Sequence, residues 1–530
     1  MIALFPWMPA LVGAPAMPQA PIYDVVIRNG RVADGTGNPA FYADIAIRQG
    51  RIAAVGRIVG TGAEELDATG CIVAPGFIDV HTHAEAIARI PLAENFIRQG
   101  VTTLVLGNCG SSELDLGAFF AQIESSGIAP NVASLIGHNT VRSKAMGGSF
   151  NRPPTADEMA EMKRLVEQAM LDGAVGLSTG LIYQPGSFAA TDEIVELARV
   201  AAAHEGIYTS HMRSEGDKIV DALNELFRIA REARIRCEVS HIKLSGNNNW
   251  GRAAEIVGLI EKARAEGLDI TQDQYAYTAS STGLSQLVPM WAREGGADAY
   301  AKRLADDSER ARMIEEMKQT LARRGKDTYD WVQIAACPSD PELNGKSVPD
   351  AARLRRGSDA LADQIALILD LQKTNDTAGI FHGIGEDDLR AFMRHPNTLF
   401  GSDAGVREFG KDMPHPRGYG NHARVLGRYV RELGLLRLED AIRKMTSLPA
   451  SVFRLEDRGT IRMGAWADMV VFDPQTVADH ATYENPHQYA TGMRCVLVNG
   501  IAVVRDDVAT GAKPGRAIRA RSTAPVGSEG

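Results

Sequence analysis

The chain of 530 residues is too long for one small hydrophobic core, so one large domain with satellites, or two to three domains, is expected. A hydrophobic share of 45% and a charged share of 23% belong to an ordinary soluble globular protein. A net charge of −9 with both signs interleaved argues against nucleic acid or an anionic membrane as partner. Residues 1–21, MIALFPWMPALVGAPAMPQAP, are apolar and rich in Pro and Ala but lack the basic start of a secretory signal. They read as a leader or flexible N-terminus. The expected location is cytoplasmic, or periplasmic if this segment is a clipped signal peptide; no other stretch reads as membrane-spanning.

From residue 22, YDVVIRNGRVADGTG and YADIAIRQGRIAAVG alternate apolar and polar residues around Asn-Gly and Gln-Gly turns, the pattern of short paired strands. Residues 22–75 are thus expected to form one part of a small β-sandwich, with RGTIRMGAWADMVVFDP and RCVLVNGIAVVRD supplying the other over 451–510. GFIDVHTHAEA (76–86) then begins as a buried strand and ends in His81 and His83. Residues i and i+2 share a strand face, so the two imidazoles aim the same way, and Asp79, of the same parity, is placed to orient one of them. Two histidines alone fit a hydrogen-bonded strand end as well as a metal site.

Over 76–450 short apolar runs (VTTLVLG, VASLIGHN, GAVGLSTG, IYTSHM, CEVSHIK, DITQDQYAY, TLFGSDAG) alternate with helical periodicity, as in ADEMAEMKRLVEQAMLDG, TDEIVELARVAAAHEG and KIVDALNELFRIAREAR. This predicts an α/β fold, a TIM-like (β/α)8 barrel. The competing doubly wound sheet lacks its Gly-rich phosphate loop after the first strand. Residues 284–345 are helical and charged and read as an insertion, and 511–530 as a flexible tail. The five cysteines, Cys71, Cys109, Cys237, Cys337 and Cys495, are scattered and odd in number, which argues against a disulfide framework.

Polar residues fall at the ends of the apolar runs. His81 and His83 follow the first, Cys109 follows VTTLVLGN, His211 follows IYTS, His241 follows CEVS and Asp403 follows TLFGS. Each has a structural reading, such as a helix N-cap for Asp403 or a core thiol for Cys109. A barrel, however, keeps its active site at the strand C-termini. Cysteine, histidine and carboxylate together suit zinc better than magnesium or calcium.

APGFIDVHTH, GVTTLVLGNCG, GLSTGLIYQPG, SHMRSEG, SHIK, YAYTASST, LFGSDAG, HPRGYG and RVLGRYV stand in this order between residues 22 and 510. In these motifs the chain resembles the N-acyl-D-amino-acid deacylases of the metal-dependent amidohydrolase superfamily. The resemblance implies one tight zinc site made by Cys109, His211 and His241, with His81 and His83 forming or helping a second, weaker position. It implies Asp403 as general base and acid, and Lys243, Tyr275, Ser281 and Arg417 as residues that hold substrate. Arg417 can grip an α-carboxylate through two parallel charge-assisted bonds, and Tyr275 and Ser281 offer neutral donors. Plainer readings are a solvated Arg417, a packed Tyr275 and a Lys243 paired with a nearby acid.

The implied reaction is zinc-dependent hydrolysis of a small N-acyl-D-amino acid to a carboxylate and a free D-amino acid, by a monomer or small homo-oligomer. The alternatives are a D-selective dipeptidase or cyclic-amide hydrolase on the same scaffold, or a non-catalytic scaffold protein. The chain departs from the family in HTHAEA, where only Glu85 remains of an acidic pair, and in Ile242, where a histidine is common. His138 and His415 are candidates for supporting positions around the metal.

Overall fold

The computed structural model describes residues 22–520; the expected leader lies outside them. Eight parallel strands form the central ring. They are β1 (Phe77–Asp79), β2 (Val101–Leu106), β3 (Asn131–Ser134, continuing as Ile136–Gly137), β4 (Gly176–Gly180), β5 (Ile207–His211), β6 (Arg236–Val239), β7 (Ile270–Gln274) and β8 (Thr398–Phe400). Each pairs with the next. A parallel bridge between Thr82 and Ala404, and a 2.8 Å bond from Asp403 N–H to the His81 carbonyl, close the ring between β8 and β1.

The strands read as near-continuous apolar runs because both their faces are covered. Leu104 and Leu106 of β2 join the core shared with the helices, whereas Val105 packs inside the ring with Ile78, Val80, Ala133, Leu135, Ile207 and Leu399. The expected helices form as Ala156–Asp172, Thr191–Ala203 and Ile219–Ala233. The first is opened by a capping box between Thr155 and Glu158, and Gly173 at φ 108° ends it.

Strands from both chain ends make one continuous nine-stranded sheet. Ile72–Pro75 pairs with Tyr23–Val32 on one side and with Met469–Phe472 on the other, which joins the two halves. Val25, Ile27, Ile45, Ile47, Val73, Met469, Val471 and Leu497 form its own core. Ile72, Ala74, Val470, Phe472, Val496 and Val498 point the other way and merge with the barrel core.

The insertion is longer than residues 284–345. Ala279–Gly283 and Val332–Ala336 both pair with Ala378–His382, and a separate apolar core runs from Leu284 to Phe381. Helices Val348–Arg356 and Leu361–Leu371 belong to that core. Their periodicity resembles that of the barrel helices, so the sequence pattern gave no boundary at 345. Residues 511–520 also differ from the expected flexible tail. Gly515, Ile518 and Ala520 donate backbone hydrogen bonds to Ile128, Val132 and Gly173; residues beyond 520 lie outside the description.

Candidate metal centre

Four of the predicted groups meet above the C-terminal ends of β1, β2, β5 and β6. Cys109 Sγ lies 3.7 Å from His211 Nδ1, 3.6 Å from His241 Nε2 and 3.2 Å from His81 Nε2. The ligand atoms of Cys109, His211 and His241 all fall within 4.8 Å of one another, as do those of His81, His83 and Cys109, and those of His81, His241 and Asp403. Asp403 Oδ1 stands 3.1 Å from His83 Nε2 and 3.7 Å from His81 Nε2, so it borders both halves of the cluster.

Local backbone aims these side chains. Cys109, His241 and Asp403 have φ of 53°, 36° and 53°. Such left-handed conformations cost a non-glycine residue roughly 1–3 kcal/mol and persist only where the surroundings hold them. Neighbouring glycines leave the necessary room. A Cβ on Gly180 would sit 2.1 Å from the Cys109 carbonyl, and one on Gly401 would sit 2.5 Å from His81 Cβ.

The donors fit a divalent cation. Burial pushes the Cys109 thiol well above its usual pKa, and a bound cation is what would make it a thiolate. Burial lowers the pKa of His81 and His211, keeping their imidazoles neutral, the form that ligates metal. His211 Nε2 is buried without a hydrogen-bond partner among the described residues.

Two carboxylates that the sequence reading passed over fix the rings. Asp273 Oδ2 lies 3.0 Å from His81 Nδ1, and Glu215 Oε1 lies 2.9 Å from His241 Nδ1. Each leaves Nε2 turned toward Cys109, the carboxylate–histidine arrangement of metal sites. Asp79, expected to orient a histidine, instead accepts the backbone N–H groups of His81 and Ser402. The chain turns between Asp79 and His81, so strand parity does not carry across that step. Glu215 carried a sequence signal, standing four residues after His211 in SHMRSEG. Asp273 carried a weaker one, a lone acid in a strand.

The expected substrate residues divide. Asp403, Lys243 and Ser281 line a cavity of about 450 Å³ together with Tyr183, His211, His241 and Glu215. Lys243 Nζ donates to Glu215 Oε1 at 2.5 Å and touches His241 Nδ1 at 2.9 Å, so the plainer reading of Lys243 holds in part. Tyr275 and Arg417 are only 2% and 3% exposed. The Tyr275 hydroxyl has no hydrogen-bond partner among the described residues, and burial keeps it protonated. The Arg417 guanidinium stacks on the Tyr275 ring at 4.6 Å, donates to the Ser281 carbonyl at 3.2 Å, and lies 2.8 Å from Asp403 Oδ2. Burial alone would raise the pKa of Asp403, but Arg417 and His83 hold it well below the usual carboxylate range.

The other sequence candidates have structural partners. His138 bonds Glu193, His415 joins the Ala279 carbonyl and the Arg417 N–H, and Glu85 accepts from the Gly107 N–H. Ile242 is buried in the helix-side core, away from the cluster.

The model of the amidohydrolase family matches residues 64–504. Over 94% of its length the chain is 37% identical to a D-aminoacylase of Alcaligenes xylosoxydans xylosoxydans, covering 97% of that protein. It is 38% identical to an N-acyl-D-glutamate deacylase of the same organism, again over 94% of the chain and covering 96% of the relative. Among solved structures, an N-acyl-D-glutamate deacylase from Bordetella bronchiseptica, complexed with zinc and a phosphonate mimic of the tetrahedral intermediate, superposes with a TM-score of 0.81. It is 36% identical, with 94% of this chain and all of that one covered.

Proposed function

From the premise that the chain belongs to the N-acyl-D-amino-acid deacylases of the amidohydrolase family, we propose that Asp403 and the cluster beside it carry out zinc-dependent hydrolysis of N-acyl-D-amino acids. The products are a carboxylate and a free D-amino acid. The observation that carries this reading is the convergence of the Cys109, His211 and His241 ligand atoms on one another, with His211, His241 and Asp403 all in the wall of a single cavity.

Cys109, His211 and His241 would hold a zinc ion, with His81 and His83 offering a second position, and the ion would supply Lewis acidity for water and for the scissile carbonyl. Asp403 is ionised and its Oδ1 faces the cluster, so it accepts the proton of the attacking water and returns it to the departing amine. The unpartnered hydroxyl of Tyr275 is a donor for the oxygen on which negative charge develops. Arg417 binds the α-carboxylate. In the free chain its guanidinium faces Asp403, so an arriving carboxylate competes for it and leaves Asp403 a stronger base. Glu215, bonded to Lys243, keeps His241 in its ligating tautomer. Carboxylate, carbonyl and side chain define three points, which is what selects one hand of the substrate.

Five free, buried cysteines support a reducing cytoplasmic setting. No helix among the described residues is long and apolar enough to cross a membrane. The test is Asp403→Asn. Zinc content should be retained while turnover of N-acetyl-D-methionine falls by about 10³-fold, near the middle of the range for a lost acid–base group. Full activity in that variant removes Asp403 from the mechanism. Equal hydrolysis of D and L substrates, or none restored by zinc after chelation, overturns the wider reading.

A further inference from the structure

The lining of the catalytic cavity carries positive charge that the reaction itself does not require. Beyond Asp403, Lys243 and Ser281, its walls are formed by Lys218, Arg323, Arg324, Asp217 and Trp331. Lys218, Arg323 and Arg324 thus stand with Asp217, while the other acid of this wall, Glu215, is taken by Lys243. Asp217 is not within ion-pair distance of any of them, and accepts instead from Asn249 Nδ2 at 2.9 Å. The Arg213 guanidinium, also in the wall, is fully engaged by Glu225 and by the carbonyls of Ser187 and Ala189.

Arg324 differs from Arg213 in one respect. Among the described residues its guanidinium makes no hydrogen bond or ion pair; it lies over the face of Trp331, 5.0 Å from the ring centroid. Lys218 likewise has no side-chain partner among the described residues. A guanidinium that is partly desolvated and stacked, but left without an acceptor, retains its five N–H donors in a fixed fork for a carboxylate that arrives from outside. The helix Asp307–Arg323 and the insertion core behind it hold this wall in place, so the fork is presented by rigid structure.

Resting on the proposed function, we infer that the substrate carries a second carboxylate, at the end remote from Arg417, and that Arg324 with help from Lys218 selects for it. This chemistry can come from an acidic D-amino-acid side chain or from a dicarboxylic acyl group. A cavity of about 450 Å³ has room for either. Neutralising a desolvated carboxylate is worth a factor of tenfold or more when one charged partner is removed.

The experiment compares kcat/KM for N-acetyl-D-glutamate, N-acetyl-D-glutamine, N-succinyl-D-leucine and N-acetyl-D-leucine. The expected result is at least a tenfold preference for one acidic member over its neutral counterpart. A preference within the first pair assigns the carboxylate to the side chain, and one within the second assigns it to the acyl group. In Arg324→Met that ratio should fall at least tenfold, mainly through KM; Lys218→Met, on an exposed segment, should lower it by less and serves if the first variant folds poorly. Ratios near one in the unaltered enzyme, or ratios unmoved in both variants, overturn this inference while leaving deacylation of neutral substrates intact. Failure to hydrolyse any of the four overturns the underlying functional reading and this inference with it.

Discussion

At the scale of single residues, the side chains that could ligate metal were legible and those that orient them were not. Cysteine and histidine after an apolar run are rare enough to draw attention, as at Cys109, His211 and His241. Asp273 acts through a ring nitrogen of His81, 192 positions away, and its lone place in a strand does not announce that partner; Glu215 stands close after His211 in sequence, yet the ring it orients is that of His241. Asp79 shows the converse: it had the right parity, yet a turn after β1 gave its carboxylate to backbone donors instead. The contribution of Glu215 can be measured. Glu215→Gln should weaken zinc binding by about 10–100-fold, the usual cost of losing a carboxylate behind a ligating histidine. Competition against a chromogenic chelator reads this directly, and an unchanged affinity would mean that Lys243 or packing alone holds His241.

At the scale of elements, the strand–helix alternation was readable because five of the eight strand ends carry a chemical marker and the helices between them a 3.6-residue stripe. The three expected helices begin and end within a few residues of their sequence limits, since Thr155, Gly173 and the left-handed Arg234 punctuate them. The insertion's end was not readable. Its later helices bury apolar faces against a second core that looks, in one dimension, like the first. Helix-to-helix attachment around the barrel is partly ionic. Glu193, at the start of Thr191–Ala203, accepts Nε2–H of His138 and Nε–H of Arg142 at 2.9 Å each, and the Arg142 guanidinium also donates to the carbonyls of Phe150 and Arg152. All three side chains are buried. Glu193→Ala would leave a buried guanidinium without its counter-charge, so a loss of about 3–5 kcal/mol in urea unfolding is expected. A loss below 1 kcal/mol would show that water reaches Arg142 and replaces the carboxylate.

At the scale of the whole molecule, the two chain ends and the barrel are tied by one buried polar knot. Asn131 of β3 donates to Asp468, Asn499 donates to Asn131 and to the Pro514 carbonyl, and Asp468 pairs with Arg458. With barrel, terminal sheet and residues 511–520 joined in this way, unfolding of the central unit should respond to a buried charge anywhere within it. Lys444 is such a group. It is 1% exposed, and its ammonium donates to the carbonyls of Met393 and His395. Burial lowers its pKa to about 7. The unfolded chain keeps that proton to about pH 10.4, so between about pH 7 and 10 it binds more protons than the folded one, and stability must rise with pH across that window. The slope from one proton is at most about 1.4 kcal/mol per pH unit. Subtracting the urea-unfolding free energies of Lys444→Met from those of the unaltered protein, at intervals from pH 6 to 10, isolates this slope from every other titration. A difference that rises above pH 7 is expected. A flat difference would mean that the two carbonyls hold the buried ammonium charged throughout.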